Sequence, residues 1–505
     1  SKQVYLWRAK KIDGEKWRYR EIFVLRLNLS KYHILESLLY KVGFLFRVIK
    51  FPIMNNFSAT SYLADFIASP QNVSLPKRTV HDFKRSLLDY LACLITGSNE
   101  QVVANLMRCL AGEKADDSRL ALEQVQNFKG KSLAFVNGVR AHALDYDDGY
   151  TQGSCHPGAV IFSAVLSAAK KYQADASKIV QAVVVGYEVM LRISSAMHPT
   201  TAKFGFHNTS VAGVFGATAA ASVILNLNAE KSLNALGLSA SYAAGILQFL
   251  EDGSDSKRLH AGKAAHDGLL CAEMAAAGIS GPAKALEGNF GFFRAYARGE
   301  IREAFLSAPF EADYLISQTY IKLYPCCRHY HAAIDAASSL KSAKGFDVSQ
   351  IHRVEIGLYG IAVDGHDQTV VRNLMEAQMS APCAVSLAIL DGLVTQNSFM
   401  PESLARSELK HLMSITKTMV DSECEASYPK LRSGVVRIFF KDGSVCEERV
   451  QQAKGEALNP LEDNEIERKF MANTKDIIGE SEAAQLKNLV WNFENADLQL
   501  LYRYV

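Results

Sequence analysis

Ser210 to Leu225 reads SVAGVFGATAAASVIL. Small residues fill most of its positions, and Val211, Val214, Phe215, Val223 and Ile224 supply the bulk. A segment apolar on every side belongs inside a protein rather than at its surface. Small side chains also let such helices approach one another closely. The same texture recurs on both sides, at Ala159 to Ala169, Ser177 to Met197, Leu233 to Leu247 and Ala264 to Ala277. Upstream, Ser58 to Ile67, Lys77 to Thr96, Glu100 to Leu110 and Ser132 to Leu144 carry apolar residues at three- and four-residue spacing, the period of an amphipathic helix. The pattern predicts a large all-helical domain over residues 54–320.

The texture changes after Ile321. His352 to Gly360 reads as a strand. Val435 to Phe440 and Val445 to Val450 flank Asp442-Gly443, a hairpin signal. Helices interleave at His331 to Ser342 and Ala384 to Leu390, which predicts a smaller α+β domain over 321–455. The remainder, 456–505, turns helical again from Asn464 to Tyr502 and is expected to return to the first domain. The fold class is therefore mainly α, a large helical domain plus a smaller α+β domain.

The chain has 505 residues, 49% of them hydrophobic and 21% charged, with a net charge of +2. That charge is unevenly spread. Residues 1–53 hold twelve Lys/Arg against four Asp/Glu, which leaves 43 basic and 49 acidic residues in the body. A mildly acidic body argues against nucleic acid as a partner, because polyanion binding shows as a basic face. The first 53 residues read as a basic extension outside the fold, with Met54 as the expected natural start. Tyr32 to Ile53 is apolar with interspersed Lys41, Arg47 and Lys50, a pattern compatible with a membrane-surface or targeting helix. No stretch reaches the roughly 18 consecutive apolar residues of a spanning helix, so no stable membrane association is expected. Nine cysteines without a CxxC pair fit free thiols in a cytoplasmic protein.

Chemistry-bearing residues crowd into Ala141 to Val160, AHALDYDDGYTQGSCHPGAV. His142, Asp145, Asp147 and Asp148 are residue types that bind divalent ions. Three acids so close together cannot share one helical face, and acids before a glycine are also ordinary capping and turn chemistry. No metal is assigned. His156 precedes Pro157-Gly158 at a helix entry, where the dipole favours anions. His207 repeats the arrangement before Asn208-Thr209-Ser210. Glu251 to Lys263 reads as a polar loop with Lys257, Arg258, His260 and Lys263, either a solvated surface or an anion site. Lys322 to His331 lies where the two domains should meet, and pockets favour such junctions. Cys326-Cys327 in that stretch has no evident partner that would make either a nucleophile. There is no GxxxxGK[ST], no GxGxxG after a strand and no GxSxG, so nucleotide, nicotinamide and serine-hydrolase chemistry fall away.

Taken together these segments resemble the MmgE/PrpD family. The resemblance runs over Asn137-Gly138 to Asp148, His156-Pro157, Gly186-Tyr187-Glu188 with Arg192, Phe206-His207 with Gly213, Lys257 to His260 with Gly262-Lys263, Gly281-Pro282 with Leu286-Glu287-Gly288, Lys322 with Tyr324-Pro325-Cys326, and Asn459-Pro460. It implies a cofactor-free enzyme, a homodimer, with its site between a helical domain and an α+β lid. The family includes 2-methylcitrate dehydratases, cis-aconitate decarboxylases and an iminodisuccinate epimerase. Matching motifs place the active-site acid on Asp145, the loop histidines on His156 and His207, and the substrate-facing lysines on Lys257 and Lys322. Two departures stand out. Gly149 occupies the place of a threonine in the decarboxylases, and Asp147-Asp148-Gly149-Tyr150 replaces the Asn-Asp-Thr-Trp of the dehydratases.

On that resemblance the expected function is a lyase for a small di- or tricarboxylate, a hydro-lyase first. A decarboxylase or an epimerase is the alternative, and a carboxylate-binding protein the non-enzymatic one. Lys257, Lys322 and Arg258 would hold carboxylates, His260 and Tyr150 would add substrate contacts, and His207 and His156 would act as acid and base. Asp145 would orient a histidine.

Overall fold

Gly138 faces Gly262 where the helices Gly130–His142 and Ser256–Ala276 cross, and a Cβ on Gly138 would lie 2.5 Å from the Gly262 Cα. The helices Ala176–Met197 and Gly213–Ile224 meet in the same way, where a Cβ on Gly216 would lie 2.8 Å from the Gly186 carbonyl oxygen. The small residues are thus the contact surfaces of a close-packed helical core, as their spacing predicts. This computed structural model describes residues 2–12, 16–27, 57–69, 75–111, 124–310, 313–344 and 346–505. Ser58–Val505 forms one compact unit.

The helices Lys77–Gly97, Pro157–Tyr172, Ala176–Met197, Gly213–Ile224 and Ser256–Ala276 surround a core in which Leu91, Phe162, Val184 and Phe215 are buried. Ala176–Met197 is the one helix among the described residues that is long and apolar enough to cross a membrane, and nearly all of it is buried in this core.

Within the helical part the structure departs from the sequence expectation in three places. The stretch expected as a single helix from Ser210 divides into Asn208–Val211 and Gly213–Ile224. The helix expected to reach Leu247 stops at Tyr242, and the chain then runs extended beside Phe206. The polar loop expected from Glu251 to Lys263 is helical from Ser256 onward. A charge run looks solvated in sequence, but Lys257, Arg258 and His260 are buried, and each has a hydrogen-bond partner.

The second part is built on a four-stranded sheet in the order Thr416–Val420, Ile351–Leu358, Gly434–Phe440, Val445–Val450. The first pair is parallel and the others antiparallel. Asp442-Gly443 makes the hairpin turn, with Gly443 at φ +86° and the Asp442 carboxylate accepting from Ser444 N at 2.9 Å. Thr416–Val420 was not expected. It is a short edge strand carrying Lys417, too brief to show alternation. The helices His331–Lys341 and Ala381–Asp391 cover the sheet, burying Val354, Ile356, Val436 and Ile438.

The tail helix Asp463–Ile478 packs on Lys77–Gly97. There Lys469 Nζ donates to Asp89 Oδ1 at 2.6 Å and to the Tyr146 and Lys322 carbonyl oxygens at 2.8 and 2.9 Å. One buried ammonium thus ties the tail to both chain segments that carry the site.

Lys2–Ile12 and Lys16–Leu27 pair as an antiparallel hairpin in a separate unit. The sequence reading assigned no strand there, although aromatic and β-branched residues are frequent in both segments. The apolar stretch Tyr32 to Ile53 lies outside the described residues.

Candidate active site

The three acids of the opening cluster serve three different partners. After the helix Gly130–His142 the chain turns through Asp145, which sits in the left-handed region at φ +51°. Asp145 Oδ1 accepts from Lys257 Nζ at 2.5 Å and from Lys322 Nζ at 2.9 Å, and Lys322 Nζ also donates to the Asp145 carbonyl oxygen at 2.7 Å. Asp147 Oδ2 accepts from His142 Nδ1 at 2.8 Å. Asp148 takes the Tyr187 hydroxyl and the Gly158 N–H, each at 2.8 Å, and so satisfies the start of the helix Pro157–Tyr172.

Asp145 was expected to orient a histidine or raise its basicity, but its hydrogen bonds go to lysines. It is the shared counter-ion of two lysines. Burial alone would raise its carboxyl, but Lys257 and Lys322 hold it well below the usual carboxylate range. Burial works against the Lys322 ammonium, and Asp145 more than reverses this, so Lys322 stays charged. Two ammoniums share this one carboxylate, with the ionised Asp147 as a further acid acting on Lys322, and Lys257 uses only one of its three N–H donors here, which leaves donors for an anion.

His156 is the N-cap residue of Pro157–Tyr172. Its Nδ1 lies 2.8 Å from the Asp148 carbonyl oxygen, which can only accept, so Nδ1 carries the proton and Nε2 keeps a lone pair. Burial pushes its pKa down to about 3, so the ring is neutral at pH 7. His207 is the N-cap residue of Asn208–Val211. Its backbone N–H donates to Gly245 O at 3.1 Å, so the extended strip after Tyr242 fixes it. Its ring pairs with His260, Nδ1 to Nδ1 at 2.9 Å. Burial, then the neighbouring His260 and His142, hold His207 well below the usual imidazole range, and burial takes His260 down to about 4.

A cavity of about 430 Å³ opens between the helical part and the sheet-bearing part. Asp145, His156, His207, Lys257 and Lys322 all line it. The sequence-expected His260, Arg258 and Tyr150 do not. His260 reaches the cavity only through His207. Arg258 pairs with Asp255 at 2.7 Å, away from the cavity, because it lies on another side of the helix from Lys257. Tyr150 is buried where its backbone N–H donates to Cys155 O at 2.9 Å.

The sheet-bearing part supplies Cys327 and His329 from the junction stretch noted in the sequence, and His366 and Arg432, which no local pattern announced, joined by His198 from the helical part. Cys327 has the partner its sequence context did not reveal. Its Sγ lies 3.3 Å from His366 Nε2, while His366 Nδ1 donates to the Asp364 carbonyl at 3.0 Å. Burial would push the Cys327 thiol up, but His366 brings it down to about 7, and Cys327 in turn raises His366. Cys326, by contrast, is pushed well up by burial.

His142, Asp147 and His156 are the described residues whose ligand atoms cluster closely enough to hold a metal ion, within 4.8 Å of one another. His142 Nδ1 and His156 Nδ1 are already engaged with Asp147 and the Asp148 carbonyl, which leaves His142 Nε2 and Asp147 Oδ1 without partners.

A helical body and an α+β part enclose a cavity in which two lysines share one buried carboxylate. The chain belongs to the MmgE/PrpD family: the MmgE/PrpD N-terminal domain matches residues 61–304 and the C-terminal domain residues 324–495. Among its relatives are the cis-aconitate decarboxylase-like protein oryM of Aspergillus oryzae, 23% identical over 87% of this chain and 95% of that protein. The cis-aconitate decarboxylase of Aspergillus terreus is 23% identical over 85% and 92%. That of Homo sapiens is 25% identical over 84% and 89%.

Proposed function

We propose that this protein is a lyase that acts on a small tricarboxylate using its own side chains, and that the reaction is loss of a carboxylate from an unsaturated acid resembling cis-aconitate. One observation carries the reading: Lys257 and Lys322 share the single carboxylate of Asp145 beside two neutral histidines in a buried cavity. The two ammoniums receive a carboxylate and stabilise the negative charge that develops when carbon dioxide leaves. The electron pair left on carbon spreads into the remaining unsaturated acid and must be protonated. Lys257, Lys322 and the Cys327–His366 pair are the proton donors on the cavity wall. The names of the relatives support decarboxylation over the dehydration expected from sequence.

A specific feature favours dehydration as the second reading. Neutral His156, with Nδ1 tied to the Asp148 carbonyl, offers Nε2 as a general base, which elimination of water needs and decarboxylation does not.

One assay separates the two. Purified protein is given cis-aconitate, citrate and 2-methylcitrate in turn, and carbon dioxide release is followed beside the absorbance of a new double bond. Carbon dioxide from cis-aconitate supports the first reading. New absorbance from a hydroxy acid without carbon dioxide supports the second. If neither appears and the acids still bind, the protein is a carboxylate-binding protein and the lyase reading is overturned.

A further inference from the structure

We propose that Arg432 holds a second carboxylate of the substrate, in a subsite it forms with His198 and His329, apart from the Lys257–Lys322 pair. This rests on the carboxylate reading given above and extends it.

Arg432 is 4% exposed and lines the cavity. Among the described residues no carboxylate lies within ion-pair distance of it, whereas the neighbouring Arg328 is paired with Glu456 at 2.6 Å. Its guanidinium makes a single hydrogen bond, from Nη2 to the Thr151 carbonyl at 3.2 Å, and its Nε is buried without a partner. Five N–H donors on a permanently charged fork are thus almost unused. A buried charge in that state is costly unless a carboxylate completes it.

Arg328 on the same cavity wall is already paired with Glu456, and the two histidines beside Arg432 are held by tyrosines. His329 is fixed by Tyr359, Nδ1 to Oη at 2.6 Å, and His198 by Tyr428, Nε2 to Oη at 3.0 Å. Burial, with Arg432 as the next cause, keeps both imidazoles neutral at pH 7. The subsite therefore joins one guanidinium without a carboxylate partner to two neutral rings, the complement of a single carboxylate. With the lysine pair at Lys257 and Lys322, the cavity presents two anion-holding places. The ligand class that satisfies both is a di- or tricarboxylate, and a monocarboxylate fills only one.

The test is binding of tricarballylate, a saturated tricarboxylate, and of butyrate, followed by calorimetry and by thermal unfolding in wild type and in Arg432→Gln. Wild type should bind tricarballylate much more tightly than butyrate. Arg432→Gln should weaken tricarballylate at least tenfold and butyrate far less. Without ligand the variant should unfold at the same temperature as wild type or higher, since an unpaired buried charge has been removed; a purely structural arginine would give a drop. Should Arg432→Gln fail to fold, Arg432→Lys carries the same test: it keeps the charge but not the fork, and should weaken tricarballylate several-fold. Tricarballylate binding unchanged by the substitution overturns the subsite. Failure of wild type to bind any polycarboxylate overturns the underlying reading instead.

Discussion

Lys257 Nζ lies 2.5 Å from Asp145 Oδ1, at the same oxygen that Lys322 reaches from 177 residues along the chain. The contact joins the first turns of the helix Ser256–Ala276 to the left-handed turn at Asp145, so it is both a structural clamp and the charged floor of the cavity. Asp145→Asn preserves the backbone, because asparagine tolerates the left-handed region. It leaves two buried ammoniums without a counter-ion. Breaking a buried pair costs about 3–5 kcal/mol. Urea denaturation should show a loss of that size, and turnover should fall with it. Adding Lys322→Met removes one of the stranded charges, so the double variant should be more stable than Asp145→Asn alone.

How much of this was readable beforehand depends on whether the information was local. The close helix crossings at Gly138 and Gly216 are written in runs of small residues, and the hairpin at Asp442-Gly443 in its turn chemistry. Asp145, His156, His207, Lys257 and Lys322 stood out because each sits in a motif with family resemblance. Arg432 and His366 lie in loops with no periodicity and no motif, and they meet the cavity only because the sheet-bearing part folds over the helical part. The role of Asp145 was misread for a similar reason. Which of several cations and imidazoles a carboxylate meets is decided by packing between segments far apart in the chain.

Buried neutral histidines make stability depend on pH. His156 and His198 are taken down to about 3 and His260 to about 4, chiefly by burial, against about 6.5 in an unfolded chain. Between those values the unfolded state binds more protons than the folded state, so stability rises with pH. Their contribution is complete above pH 6.5 and is lost as pH falls below it, at about 1.4 kcal/mol per pH unit for each such histidine. His366, whose pKa is raised, acts in the opposite sense, stabilising at low pH and ceasing to do so as pH rises through its folded value. His207, His329 and His331, also lowered chiefly by burial, act with these three, while Asp148, raised by burial, acts with His366, so the six lowered histidines outweigh both. Urea midpoints measured from pH 7.5 to 5.5 should fall steadily, and His198→Phe should flatten the slope.

Gly149, where the chain parts from both familiar subgroups of its family, has a packing explanation. Its N–H donates to the Tyr320 carbonyl at 3.0 Å, and a Cβ at Gly149 would lie 2.3 Å from the Tyr320 hydroxyl and 2.4 Å from its Cζ. The tyrosine ring occupies the space a larger residue would need. Gly149→Ala should displace that ring at about 1–3 kcal/mol, the usual range for overpacking. Residues in direct contact do not contribute additively. The Gly149→Ala/Tyr320→Ala double variant should therefore lose less stability than the two single losses together, measured by urea denaturation.

Cys327 should be the reactive thiol of the cavity. Its partner His366 brings it to about 7, while burial pushes Cys326 and Cys93 well up. The thiolate is the species that reacts with alkylating agents. At pH 7.5 more than half of Cys327 is then thiolate, and iodoacetamide with peptide mapping should find it labelled well before Cys326 or Cys93. The rate should rise with pH through a midpoint near 7, and His366→Gln should move that midpoint upward by removing the imidazole that holds the thiolate. Because Cys327 and Arg432 line the same cavity, saturating tricarballylate should slow the labelling of wild type. Labelling of Cys327 no faster than that of Cys326 would show that the contact with His366 leaves it an ordinary buried thiol.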